Sequence, residues 1–185
     1  MFYFVTFLAC SLLGVMAVSA RKQRRLSPPE DLYGIVQLLL PVNPERMREL
    51  FDPAEEWNLR ARNSPEAFKV AQRNRRKLAI QLASHMYRNA GLLQRLGRAA
   101  LSNPKGSQVV TGKMLVDAGV AVRLRSFLLL FFLHLQQFFH AGSSLSAVKD
   151  IARDLLPEYG EMLRVAANLS QGLDPTLHQS LMGAL

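Results

Sequence analysis

Two stretches of the chain hold side chains at spacings that covalent or phosphate chemistry uses. Ser146 and Lys149 in "SAVK" stand one helical turn apart, which sets a hydroxyl beside an amine able to take its proton. The same Ser-x-x-Lys spacing recurs at Ser102 and Lys105, and the Ser-Asp-Asn and Lys-Thr-Gly companions that complete such a site are missing. "GSQVVTGKM", over 106–114, has the glycines and lysine of a phosphate-cradling loop. That loop needs four residues between its glycines and a Ser or Thr after its lysine. Here five residues separate Gly106 from Gly112, and Met114 follows Lys113. A flexible turn leading into the next helix is the expectation for this stretch.

The other chemistry-bearing residues form no constellation. His134 and His140 are six apart and project from different faces of one helix; His85 and His178 stand alone in the sequence. Neither a His-Glu-x-x-His motif nor a cysteine pair accompanies them, so no metal site is expected. Asp150 and Asp154 share a helix face, but Lys149 and Arg153 beside them predict ordinary surface pairing. The single cysteine, Cys10, lies in an apolar run and permits no intramolecular disulfide. No catalytic residue and no cofactor is expected, and a non-enzymatic role follows as the working expectation.

Charge is the stronger signal. The chain carries 23 Lys and Arg against 14 Asp and Glu, a net charge of +9, which favours anionic partners. Ten of the cations fall between Ala67 and Val116, a stretch with no acid. At 100° per residue this stretch sorts into two faces. Phe68, Ala71, Leu78, Leu82, Met86, Leu93, Leu96 and Ala100 form an apolar stripe. Lys69, Arg73, Arg76, Lys77, Arg88, Arg95 and Arg98 fall on the opposite side, while Arg75 sits out of pattern near the stripe. A basic face of this kind suits anionic lipid headgroups or an acidic protein. Nucleic acid is a weaker expectation, because Tyr87 is the only aromatic residue between Phe68 and Phe127 and no docking motif is present.

A second cationic cluster, Arg21, Lys22, Arg24 and Arg25, directly follows twenty residues without a charged side chain. Twenty helical residues span about 30 Å, the thickness of a hydrocarbon core. Val18 and Ala20 would suit a signal-peptidase cut, giving a secreted protein. The basic leader of a cleaved signal is absent, however, and the apolar run is too long for one. A retained single-pass anchor over 1–20 is therefore expected. The cations at 21–25 then stay cytoplasmic, with the N-terminus outside.

The elements that must position these groups read as helices. Six pairs of a capping residue and proline mark helix starts: Ser27-Pro28, Asn43-Pro44, Asp52-Pro53, Ser64-Pro65, Asn103-Pro104 and Asp174-Pro175. The predicted helices are 29–40, 44–51, 53–62, 65–100 with a break near 90, 113–140, 145–155 and 158–171, and a short turn at 175–183. Pro157 is expected to kink its helix or start a new one. The best strand candidate is the short Gln108–Thr111. The run "SFLLLFFLHLQQFFHAG", 126–142, is expected to be a buried core helix, with a second membrane segment as the alternative.

The expected protein is thus all-α: an N-terminal transmembrane helix at 1–20, a polybasic flank at 21–26, and a cytoplasmic bundle of about five to seven helices over 27–185. Its expected role is a membrane-anchored interaction or scaffold protein. The alternatives are a subunit of a larger membrane assembly with 126–142 embedded, and a helical nucleic-acid-binding protein.

Overall fold

A computed structural model describes residues 32–102, 107–139 and 145–184. Among these the chain is all-helical: α1 (Leu32–Gln37), α2 (Pro44–Phe51), α3 (Pro53–Arg62), α4 (Pro65–Ser102), α5 (Ser107–Phe139), α6 (Leu145–Leu173) and α7 (Pro175–Ala184). The expected anchor at 1–20 and flank at 21–26 lie outside the described residues. Among the described residues no helix is long and apolar enough to cross a membrane. The described part of the second apolar run, 126–139, belongs to one of these helices. It is the C-terminal part of α5, with Leu129 and Leu133 buried in the bundle and Phe131 and Phe132 half-buried.

Local chemistry sets the helix starts. Asn43 Oδ1 accepts from the Arg46 amide at 3.0 Å, and Asp52 Oδ1 from the Ala54 amide at 2.9 Å. Ser64 Oγ accepts from the Ala67 amide at 3.3 Å, and Asp174 Oδ1 from the Thr176 amide at 2.8 Å. Each is followed by proline, whose missing N–H costs nothing at the first helical position.

Four expectations on helix extent are corrected. Gln108–Thr111 is helical, and α5 begins at Ser107 rather than 113. The β-branched residues there prefer strands only weakly, and burial of Gly112 against α4 outweighs that preference. α4 runs without the expected break near 90, because Gly91 and Gly97 are buried in the bundle. α6 continues through Pro157. Pro157 and Arg153 are both exposed, so the Arg153 carbonyl that loses its helical donor is free to bond water. α1 ends at Gln37 rather than 40, since Leu40 leaves the helix to pair with Asn89.

α4 and α5 form an antiparallel hairpin and make the largest interhelical contact; α6 packs on α5, and α7 on α6 and α1. The hairpin is held close by small residues. A Cβ on Gly97 would lie 2.8 Å from the Gly112 carbonyl oxygen, and one on Gly119 would lie 3.1 Å from the Ala90 carbonyl oxygen. Ala90 and Gly97 are seven apart, as are Gly112 and Gly119, so two turns along one helix match two turns along the other. The predicted stripes form the core: Leu82, Met86, Leu93, Leu96 and Ala100 from α4 meet Val148, Leu155, Tyr159, Met162 and Leu169 from α6 in one buried cluster.

Candidate functional site

The basic face of α4 is built by helical phase. Lys69, Arg73, Lys77, Arg88 and Arg98 are exposed, and Arg76 and Arg95 are half-buried. From Lys69 to Arg98 the face runs about 43 Å along the helix, at about 1.5 Å per residue. None of these seven cations forms an ion pair with a carboxylate of the described residues. Three acids on other elements pair with cations outside this face: Glu158 with Arg125, Glu56 with Lys149 at 3.0 Å, and Glu161 with Arg164 at 2.5 Å. The Arg164 guanidinium holds the Glu161 carboxyl below its ordinary range. Arg21, Lys22, Arg24 and Arg25 lie outside the described residues.

Arg75, out of pattern in the sequence, does a different job. Its Nη2 donates to the Glu49 carbonyl at 3.0 Å and the Leu50 carbonyl at 2.8 Å. Both carbonyls lie in the last turn of α2, where a cation opposes the negative end of the helix dipole, and the Glu49 carbonyl also accepts from the Asp52 amide at 3.3 Å. Arg75 thereby ties α2 to α4. Arg123 is likewise structural: its guanidinium stacks 4.6 Å over the Tyr87 ring and donates to Gln94 Oε1 at 3.3 Å.

Beside the N-terminal half of the basic face, α2 to α6 line a recess of about 90 Å³ that opens to solvent. Its innermost wall combines Ala79, Leu133 and Val148, almost fully buried, with the buried amide side chain of Gln136. Half-buried Leu50, Phe51 and Phe68 extend that wall, and Arg75, Arg76, Lys149 and Glu56 stand at its margin.

The groups that suggested covalent or phosphate chemistry are placed otherwise. Lys149 is held by Glu56. Gly112 is wedged against Gly97 rather than around an anion. Asp150 and Asp154 both face Arg153, at 3.2 and 3.9 Å, as surface pairs. His134 Nδ1 bonds the Leu130 carbonyl of its own helix at 2.7 Å. One contact was not legible in the sequence: Ser170 Oγ lies 3.1 Å from His178 Nδ1. Both atoms also reach the Ala167 carbonyl, at 2.8 and 3.1 Å. Among the described residues no group of His, Cys, Asp and Glu could hold a metal ion.

The polar cluster that sequence reasoning missed is structural. Asn89, fully buried, donates through Nδ2 to the Leu40 carbonyl at 2.7 Å and to Tyr159 Oη at 2.9 Å. Its Oδ1 accepts from the Leu40 amide at 2.9 Å. Burial pushes the Tyr159 phenol above its ordinary pKa, with the Asn89 bond opposing. The available signal was helical phase: Asn89 is a lone amide in the middle of the apolar stripe.

The chain matches no family model, no curated protein and no solved structure, so its side chains alone speak for its function.

Proposed function

We propose that the protein is a membrane-anchored helical interaction protein, not an enzyme, whose basic α4 face lies on anionic lipid headgroups. Residues 1–20 act as a retained single-pass anchor, with the N-terminus outside, the flank at 21–26 at the inner surface, and the helical domain in the cytoplasm. The observation that carries this reading is the set of seven α4 cations without ion-pair partners among the described residues, in a stretch free of acids. A bundle gains little by keeping so many like charges on one face, whereas each contributes about 1 kcal/mol against an anionic membrane. The uncharged length of 1–20 and the cations at 21–25 support the anchor.

Vesicle flotation of residues 21–185 tests the surface. Binding to phosphatidylserine vesicles, weakened by salt, together with little binding to phosphatidylcholine vesicles, is the expected result. Equal binding to both would contradict it. Retention on DNA at low salt without vesicle binding would favour a nucleic-acid partner instead.

A further inference from the structure

We propose that the outward face of α5 enters an anionic bilayer beside the α4 cations, with Val120, Leu124, Phe127 and Phe131 among the acyl chains and the helix lying in the membrane plane. The inference rests on the proposed lipid contact of α4 and deepens it. Helical phase sets the face. Ala90 and Gly119 mark where α4 and α5 touch, since a Cβ on Gly119 would lie 3.1 Å from the Ala90 carbonyl oxygen. A turn of about 60–80° one way from these two residues leads to Leu82 and Leu93 on α4 and to Val122 and Leu129 on α5. All four are buried in the core. A turn of about 80–140° the other way leads to Arg73, Lys77 and Arg98 on α4 and to Val120, Leu124, Phe127 and Phe131 on α5. The two helices are antiparallel, so equal turns bring both sets to one side of the hairpin. The three cations there are exposed, Val120 and Leu124 are 53% and 46% exposed, and the two phenylalanines are half-buried.

Lys113 and Asp117 end the apolar face on its N-terminal side. Beyond them α5 carries only Arg123 and Arg125 among Lys, Arg, Asp and Glu, and both turn elsewhere: Arg123 stacks on Tyr87 and Arg125 bonds Glu158. From Val120 to Phe131 the face runs about 17 Å along the helix. A contiguous exposed apolar surface marks a site of interaction. Charge selects the occupant. With a net charge of +9 and cations flanking the face, a second copy would meet like charge, whereas an anionic lipid surface offers the opposite sign. Cations beside apolar area are also the two parts that binding in the membrane interface uses. Chain length allows the contact: Leu32 opens α1 seven residues after Arg25, a reach of at most about 25 Å.

The test uses the full chain in nanodiscs, with Cys10→Ser and one nitroxide-labelled cysteine at a time. Leu124→Cys reports the α5 face, Ser84→Cys the outward side of α4, and Met182→Cys, exposed on α7, the solvent. Collision with oxygen, which concentrates in hydrocarbon, against collision with a water-soluble nickel chelate measures depth. In phosphatidylserine nanodiscs the oxygen-to-nickel ratio should be at least tenfold higher at Leu124 than at Met182, with Ser84 between them. In phosphatidylcholine nanodiscs the Leu124 ratio should fall at least threefold. An intermediate Ser84 with Leu124 equal to Met182 would overturn this proposal and leave the α4 contact standing. Both equal to Met182 would overturn the two together. A Leu124 label shielded from both reagents would place a protein on the face, a second copy included, and would overturn the proposal. So would a Leu124 ratio indifferent to phosphatidylserine, which would detach the face from the α4 cations.

Discussion

Gly97 and Gly112 meet back to back across the α4–α5 hairpin: a Cβ on the first would lie 2.8 Å from the carbonyl oxygen of the second, and a Cβ on the second 3.0 Å from that of the first. Backbone carbonyls cannot swing aside as a side chain would, so a methyl at either position must push the two helices apart. Gly97→Ala should therefore destabilise the protein by about 1–3 kcal/mol despite alanine's better helix propensity. Gly160→Ala is the matched control. A Cβ there meets nothing within 4 Å, and the substitution should stabilise by about 0.5–1 kcal/mol. Urea denaturation of both variants measures the difference, and a Gly97→Ala protein as stable as wild type would show that the hairpin is looser than described.

Asn89 has its two amide protons and its carbonyl oxygen all engaged in the interior. Asn89→Ala would strand the Leu40 amide, the Leu40 carbonyl and the Tyr159 hydroxyl together. The expected loss is about 2–4 kcal/mol, against about 1 kcal/mol for Tyr159→Phe, which removes only one bond. The two denaturation midpoints should fall in that order. Tyr159 should also titrate above its ordinary value of 10.0, because burial disfavours the phenolate.

Asp174 caps α7 and accepts from Tyr33 Oη at 2.5 Å and from Thr176 Oγ1 at 2.7 Å, and these bonds pull its pKa from 3.8 to about 2. The folded state thus keeps this carboxyl ionised at a pH where the unfolded chain has taken up a proton. Its stabilising contribution is present above the ordinary aspartate value and fades as pH falls from there through about 2. Carbon-detected NMR titration should show the low value directly, and Tyr33→Phe should move it upward. A titration at the ordinary value would mean that the Tyr33 bond does not form.

Legibility in the sequence followed the range of the physics. Helix starts at Pro44, Pro53, Pro65 and Pro175 could be read because a cap and its proline are neighbours in the chain. The apolar stripes of α4 and α6 could be read because phase along one helix is local. Arg75 stood out as an anomaly without a cause, since its acceptors at Glu49 and Leu50 lie on another helix. Gly97 lowers local helix propensity, and its packing role is invisible in the sequence because only the register of α5 brings Gly112 against it. Gln108–Thr111 read as a turn and the best short strand candidate, because propensity is local and the packing that makes it helical is not. The seven cations of the α4 face were found by phase alone. The recess beside them was not, since five helices contribute its wall.

The α4 face carries the proposed membrane contact, and matched charge removal tests it. Arg73→Gln with Lys77→Gln takes two cations from that face; Arg153→Gln with Arg164→Gln takes two exposed cations from α6. At about 1 kcal/mol per cation, the α4 pair should weaken binding of residues 21–185 to phosphatidylserine vesicles about 30-fold, while the α6 pair should change it less than about twofold. Equal losses from the two pairs would show that net charge, not this helix face, draws the protein to anionic lipid, and would contradict the account.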